Sequence, residues 1–123
     1  MKDGIFIYGN VPSSKNSKVW TGKMLVSSRR VYRYRRQAVN QFEAHRNRFL
    51  RASEKKPLPL LVMFTFYRDS NQRFDFNNIS QVVCDLMVST GWIEDDSYKH
   101  LVPFFNPEVI IDKINPGVKI EII

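Results

Sequence analysis

One stretch, from Arg73 to Asp96, constrains this chain more than any other, because it concentrates side chains that can ligate a hard metal ion. It reads RFDFNNISQVVCDLMVSTGWIEDD, and its candidate ligands are Asp75, Asn77, Asn78, Asp85, Asp95 and Asp96, with Glu94 as a seventh. Carboxylates held close together repel one another, so a fold that gathers them usually offsets the repulsion with a cation, a proton or solvent. We interpret the stretch as a site for a divalent metal ion.

The middle of this stretch has the pattern of an amphipathic helix. We predict a helix from Asn77 to Thr90, with Asp75 or Asn77 as its N-terminal cap and Gly91 just past its end. Its apolar face consists of Ile79, Val82, Val83, Leu86 and Met87. A polar stripe borders that face at helical spacing and consists of Asn78, Gln81 and Asp85.

The residues after the predicted helix could complete the site. Trp92 and Ile93 are expected to anchor the chain after the glycine turn, which would let the acidic residues 94–96 fold over the helix. Each acidic residue also has an interpretation without a metal: a helix cap at the N-terminus, a half-exposed position for Asp85, and a solvated turn for Asp95 and Asp96. Their joint occurrence in a strongly basic protein favours a site.

The net charge of +7 at pH 7 is unevenly distributed along the chain. The segment from Ser13 to Lys56 has 13 lysines and arginines against two glutamates, a net charge of +11, whereas the acidic stretch is net negative. A basic surface around an acidic pocket is what a metal-dependent nuclease requires, because the first attracts phosphates and the second holds cations. A basic helix that only aids solubility is the alternative, but RRVYRYRR at Arg29–Arg36 is denser than solubility requires.

The length of 123 residues suits one domain, residues 1–123, with one modest core. The predicted strands are Ile5–Gly9, Met24–Ser27, Leu60–Tyr67, Tyr98–Phe105 and Val118–Ile123, with a loop at Asn10–Lys23 and a looser segment at Asn106–Ile114. A long helix is predicted from a cap at Ser27 or Ser28 to Arg51, with an apolar stripe of Val31, Tyr34, Ala38, Phe42, His45 and Phe49. This order predicts an α+β fold in which helices pack on one face of a mixed sheet.

Targeting and cysteine signals are few. No apolar run reaches the length of a membrane span, and the first ten residues lack the apolar core of a signal peptide. The single Cys84 cannot form an internal disulfide, and it is expected to be a small buried residue of the second helix. We therefore expect a cytoplasmic protein without membrane contact.

The acidic stretch resembles the RusA family of Holliday junction resolvases, whose motif is Asp-x-Asp-Asn, a helix with a Lys and an Asp, and a glycine turn followed by Asp-Asp. The corresponding residues here are Asp75, Phe76, Asn77, Asn78, Gln81, Asp85, Gly91, Asp95 and Asp96. VPSSKN at Val11–Asn16 is similar to the family's Pro-Pro-Ser-x-Asn entry, and NPGVKIEI at Asn115–Ile122 to its closing strand. Asn77 departs from the usual second acidic residue and Gln81 from the usual lysine, so one negative and one positive charge are missing.

The resemblance implies a Mg²⁺-dependent endonuclease, with Mn²⁺ as a substitute, that resolves four-way DNA junctions in recombination and repair. The implied catalytic residues are Asp75, Asp85, Asp96, Asn77 and Gln81, and the implied metal ligands are Asp75, Asp85, Asp96, Asn78 and Asp95. The metal would activate a water molecule and neutralise charge on the phosphate. Residues expected to contact DNA are Lys15, Asn16, Lys18, Lys23, Arg29, Arg30, Arg33, Arg36 and Arg73.

The resemblance also implies a homodimer, because a two-fold protein matches the two scissile strands of a junction. It further implies a location in the cytoplasm of a bacterium or a phage-infected cell. Trp92, Phe104 and Phe105 are candidates for the dimer interface or for the core. Two other functions stay open. A junction-binding protein that no longer cuts would explain the two departures, and a single-stranded-DNA or RNA-binding module would use Trp20, Tyr32 and Tyr34 as stacking platforms.

Overall fold

The computed structural model describes residues 1, 3–14, 18–20, 25–27 and 29–123, and for 18–20 and 25–27 it describes the backbone alone. The strands are β1 (Ile5–Tyr8), β2 (Lys18–Trp20), β3 (Leu25–Ser27), β4 (Leu60–Arg68), β5 (Leu101–Phe105), β6 (Ile110–Ile111) and β7 (Gly117–Ile122). The helices are α1 (Arg29–Ser53) and α2 (Phe76–Ser89).

The main sheet is mixed and has the order β1-β7-β4-β5, with β6 beside the end of β4. Strand β7 pairs antiparallel with both β1 and β4, whereas β5 and β6 run parallel to β4. The strand predicted from its dense apolar pattern, β4, therefore lies inside the sheet, where both of its edges are hydrogen-bonded. The predicted α+β fold is confirmed.

One face of this sheet is the hydrophobic core. Ile5, Ile120 and Phe64 are register partners across three strands, and none of them is exposed to solvent. Both helices contribute to the same buried cluster, α1 through residues such as Phe42 and α2 through residues such as Ile79. Burying a large apolar side chain is worth about 1.5–3 kcal/mol, so this face holds the sheet and both helices together.

The opposite face of the sheet is partly exposed and aromatic. Gly117 of β7 pairs with Tyr8 on one side and Tyr67 on the other. A side chain at Gly117 would collide with the ring of Phe6, which stacks on Tyr8 at 4.7 Å between ring centroids and lies 5.1 Å from Tyr67. The glycine thus leaves room for an aromatic cluster that covers the sheet.

The amphipathic pattern of α1 is confirmed with one difference. Tyr34, Phe42 and the other residues of the predicted stripe are buried, but His45 is only half-buried. The helix ends at Ser53, two residues beyond the prediction, and the predicted cap at Ser27 or Ser28 depends on side chains outside the described residues. In the part of the chain that is described, no helix is long and apolar enough to cross a bilayer.

Two predictions of irregular and extended structure were wrong. The predicted loop Asn10–Lys23 contains β2, which pairs antiparallel with β3 as a separate two-stranded ribbon, because Val19 and Trp20 favour a strand despite their polar neighbours. Residues 98–100 form a turn rather than the start of β5. The Ser97 carbonyl accepts hydrogen bonds from the backbone N–H groups of His100 and Leu101, at 2.9 and 3.0 Å.

Candidate active site

The N-terminus of α2 carries the first part of the site. Asp75 occupies the N-cap position with an extended backbone, and its carbonyl accepts hydrogen bonds from the N–H groups of Asn78 and Ile79, at 3.1 and 3.2 Å. Its carboxylate makes no capping bond to the described backbone. Instead, Oδ2 accepts a 3.1 Å hydrogen bond from the Asn78 side-chain amide. Asp75 therefore combines the position of a cap with an exposed carboxylate that is available to a ligand.

About two turns further along α2, the side chain of Gln81 forms hydrogen bonds with both Asp85 and Asp96. Its side-chain nitrogen donates to Asp85 Oδ1 at 2.8 Å and to Asp96 Oδ2 at 3.3 Å. Asp85 and Asp96 are half-buried, whereas Gln81 is exposed. The Asp95 carboxylate accepts a 2.9 Å hydrogen bond from the Asp96 N–H and so shapes the loop. The predicted folding of residues 94–96 over the helix is confirmed for Asp96.

The turn after α2 explains how Asp96 reaches Gln81. Gly91 has φ +81°, and the backbone N–H groups of Gly91 and Trp92 donate to the carbonyls of Val88 and Met87, at 3.1 and 2.8 Å. This bond pattern is a Schellman motif, which ends the helix and turns the chain back. An added Cβ at Gly91 would also lie 2.8 Å from Nε of Arg46 on α1, so the turn packs tightly against the other helix.

Trp92 fixes the chain that follows this turn. The residue is 2% exposed, and its indole N–H donates to the Phe42 carbonyl at 2.7 Å. Its ring lies 4.7 Å from the ring of Phe49 and 4.9 Å from that of Phe42. Trp92 is thus a core residue, and its buried side chain cannot form part of a dimer interface. Helix α1 thereby determines where the acidic loop, Glu94–Asp96, begins.

The two carboxylates at Gln81 also affect the neighbouring cysteine. Burial, reinforced by the negative charges of Asp96 and Asp85, raises the pKa of the Cys84 thiol to about 12. The thiol is therefore protonated at neutral pH and is a poor nucleophile. The expectation that Cys84 is a small buried helix residue is confirmed.

We call Asp75, Asn78, Gln81, Asp85 and Asp96 the acidic site, and a pocket of about 530 Å³ adjoins its Asp75 end. Three arginines, Arg30, Arg68 and Arg73, line it together with Asp75 and Asn78 of the acidic site. The remaining lining residues are Asn10, Pro12, Ser13, Asp69, Ser70, Gln72 and Phe74. Guanidinium groups, a carboxylate and an amide of the site thus share one concave surface.

The structure brings most of the predicted metal ligands into two hydrogen-bonded groups, Asp75 with Asn78 and Gln81 with Asp85 and Asp96. Asn77 is exposed in the first turn of α2. Glu94 Oε2 lies 3.8 Å from His100 Nε2, and Glu94 is a member of neither hydrogen-bonded group. Over the described part of the chain, no three Asp, Glu, His or Cys side chains stand close enough to hold a metal ion. The oxygen donors nevertheless suit a hard cation such as Mg²⁺.

The residues predicted to contact DNA are described in part. Arg29, Arg30, Arg33 and Arg36 lie exposed on the first turns of α1, and Arg73 is exposed on the loop before α2. Lys15, Asn16 and Lys23, with the side chains of Lys18 and Trp20, lie outside the described residues.

The two tyrosines predicted as stacking platforms differ in their exposure to solvent. Tyr34 is 4% exposed, so its predicted role as a stacking platform was wrong, because it belongs to the buried face of α1. Tyr32 is 55% exposed, and the guanidinium of Arg36 lies 5.8 Å from the centre of its ring.

Arg68 was missed by the sequence analysis. It follows Leu60, Val62, Phe64 and Phe66 at every second position of β4, and all of these side chains are buried. The alternation of a strand therefore predicts that Arg68 also points inward, which was the available signal.

The chain matches none of the protein-family models with which it was compared. The search of curated proteins likewise gives no match.

Proposed function

We propose that this chain is a metal-dependent endonuclease of the RusA type that acts on four-way DNA junctions as a homodimer. The observation that supports this most is the sharing of Asp75 and Asn78 between the acidic site and the arginine-lined pocket. A nuclease needs a place for a cation beside a place for phosphate, and a protein that only binds DNA gains nothing from holding half-buried carboxylates such as Asp85 and Asp96 together.

Each group of residues then has a role. Asp75, Asp85 and Asp96 would hold Mg²⁺ after moving closer together than they stand in this structure, with Asn78 and Asp95 assisting through a neutral oxygen or a water molecule. The ion, when bound, supplies an activated water molecule and neutralises charge on the scissile phosphate. The exposed arginines of α1 and Arg73 would hold the DNA backbone, since guanidinium groups recognise phosphate with paired hydrogen bonds.

A second function is favoured by one contact. The Gln81 amide nitrogen donates to both Asp85 and Asp96, and so relieves their repulsion without a cation. A junction-binding protein that has lost cleavage would keep such an arrangement. Cleavage requires that Gln81 release these carboxylates or turn its amide so that the oxygen faces the ion.

The decisive experiment is a cleavage assay on a synthetic four-way junction. We expect strand cleavage with Mg²⁺ or Mn²⁺, none with a chelator, and none in Asp75→Asn, whereas junction binding survives the substitution. Glu108→Gln is the matched control, because it removes one exposed carboxylate that belongs neither to the hydrogen-bonded groups nor to the pocket lining, and it should leave cleavage intact. Absence of cleavage at every metal concentration would favour the binding protein.

Binding without metal tests the DNA-binding part of the proposal. We expect a four-way junction to bind more tightly than a duplex of equal length at matched salt, and the affinity to fall steeply with salt because several phosphates are contacted. Fluorescence anisotropy over a salt series measures both quantities. Equal affinity for junction and duplex would argue against a resolvase of either kind, active or inactive.

A further inference from the structure

Arg68 is a buried cation at the end of the central strand. Its side chain is 9% exposed, and Nη1 donates to the Val11 carbonyl at 2.6 Å. Its guanidinium carbon lies 4.8 Å from the centre of the Phe74 ring, which covers one side of the group. Burial lowers the pKa of Arg68 from its ordinary value, and the negative charge of Asp69 opposes that shift.

The usual compensation for such a group is a carboxylate, and the described residues do not supply one. The ion pairs found among them join His100 to Glu94 and Lys119 to Glu121, and neither involves Arg68. Asp69 is adjacent and favours the charged form of Arg68, but its side chain is exposed and forms no ion pair with Arg68 within the described part of the chain. Buried arginines are rarely left without an anion, because an unpaired buried charge is strongly destabilising.

Two further arginines lie near Arg68 and add to the positive charge there. Arg30 lies close enough to disfavour the charged form of Arg68, and Arg73 lines the same pocket. The three arginines outnumber the two carboxylates of the same lining, Asp69 and Asp75, so the pocket has a net positive charge that favours an anion, and its volume of about 530 Å³ is sufficient for a phosphate group. Among the described residues, the Val11 carbonyl accepts from one of the five N–H donors of Arg68, so a purely structural role within that part of the chain accounts for little of its donor capacity.

We infer that the pocket of Arg68, Arg30 and Arg73 binds one phosphate group of the DNA strand, next to the phosphate that is cut. The inference rests on the proposed function for the identity of the ligand. Asp75 and Asn78 line both this pocket and the acidic site, so a strand that passes through one passes the other. A guanidinium held in place by Val11 and Phe74 is preorganised for the planar, paired hydrogen bonds that phosphate accepts.

The experiment replaces single phosphates of a four-way junction by uncharged methylphosphonates and measures binding without metal. We expect the replacement at one position beside the scissile phosphate to weaken binding by about tenfold, because it removes a charge from a partly desolvated contact. In Arg30→Gln the same replacement should cost little, because the partner is already weakened. Arg51→Gln, an exposed arginine in the last turn of α1, is the matched control and should keep the full tenfold effect.

Arg68→Met extends the test to the buried group, and a thermal melt shows whether that variant is folded. The exposed Arg30→Gln variant keeps the inference testable if Arg68→Met does not fold. If no position is sensitive, or if the sensitive position costs the same in Arg30→Gln as in the natural protein, the inference is overturned. Cleavage does not enter the measurement, so a protein that binds in this way but never cuts supports the pocket and defeats the nuclease.

A titration with inorganic phosphate tests the pocket without any junction DNA. In a nuclear magnetic resonance titration of the protein alone, the side-chain Nε–H signal of Arg68 should shift saturably with phosphate, and the shift should be lost in Arg30→Gln. A protein that shows this shift but does not bind junctions has a phosphate site for another ligand, and the proposed DNA function fails. A signal that does not respond to phosphate overturns the pocket, whatever the protein cuts.

Discussion

The side-chain nitrogen of Gln81 donates to Asp96 Oδ2 at 3.3 Å and thereby joins α2 to the segment that leads into β5. The same nitrogen donates to Asp85 across one helical turn, at 2.8 Å. A lysine here would bring a positive charge to both carboxylates, whereas glutamine offers them a neutral donor. The character of the site thus depends on a residue that is not acidic.

The first prediction is that Asn77→Asp combined with Gln81→Lys increases metal-dependent junction cleavage. The aspartate adds a charged ligand candidate at the start of α2, and the lysine adds a positive charge for the phosphate. We expect half-maximal cleavage at a Mg²⁺ concentration about tenfold lower, which corresponds to ~1.4 kcal/mol. Asn47→Asp with Gln37→Lys makes the same exchanges at exposed positions of α1 and should change nothing. If only the double variant cuts, the natural chain is a binding protein.

The second prediction concerns the anchor of the acidic loop. Trp92→Phe removes the hydrogen bond to the Phe42 carbonyl and leaves a space beside Phe49, so we expect a loss of unfolding free energy of about 2–3 kcal/mol. Urea denaturation measures this loss. Tyr98→Phe, at a side chain that is 77% exposed, should change stability by less than about 0.5 kcal/mol. Equal effects of the two substitutions would contradict the assignment of Trp92 as the anchor.

The third prediction is a pH dependence caused by Cys84. The folded chain retains the thiol proton up to a pKa of about 12, whereas the unfolded chain releases it at the ordinary value of 9.0. Because the folded state binds more protons between these values, its stability falls as the pH rises through that window. Below it, Cys84 adds no pH dependence.

Denaturation of the natural protein and of Cys84→Ala over a pH series up to about 10.5 measures this effect, with a slope difference of up to ~1.4 kcal/mol per pH unit. The alanine variant should be less stable at neutral pH because it leaves a small cavity, but its stability should fall less steeply above pH 9. Tyr34 titrates in both proteins and cancels in the comparison. Parallel curves would show that the thiol has no part in the pH dependence.

The fourth prediction is a homodimer in solution at micromolar concentration, measured by light scattering. We expect its interface on the partly exposed face of the sheet, where Tyr8, Leu61 and Phe104 are each more than 40% exposed. Phe104→Glu should shift the protein to monomers, whereas Ile114→Glu, at a still more exposed side chain in the loop before β7, should not. A stable monomer that cuts both strands of a junction in concert would refute the argument from symmetry.

The local sequence determined the type and the limits of several secondary-structure elements of this protein. The apolar run of β4 specified an interior strand, and the helical spacing of Asn78, Gln81 and Asp85 specified a polar stripe on α2, because the periods of strands and helices are set by the backbone. Gly91 marked the end of α2 for the same local reason, since a left-handed position costs glycine little.

Tertiary structure decided which of these elements meet. Asp96 reaches Gln81 because Trp92 is held between aromatic residues of α1, some fifty positions earlier in the chain. Among the described residues, Arg68 lies against Val11, Phe74 and the arginine-lined pocket and forms no ion pair, because a strand and loops from distant parts of the chain meet around it. Such contacts depend on packing between distant segments, which no local pattern encodes. The arrangement of the acidic site beside the arginine pocket is therefore a property of the fold, although every residue in it can be read from the sequence.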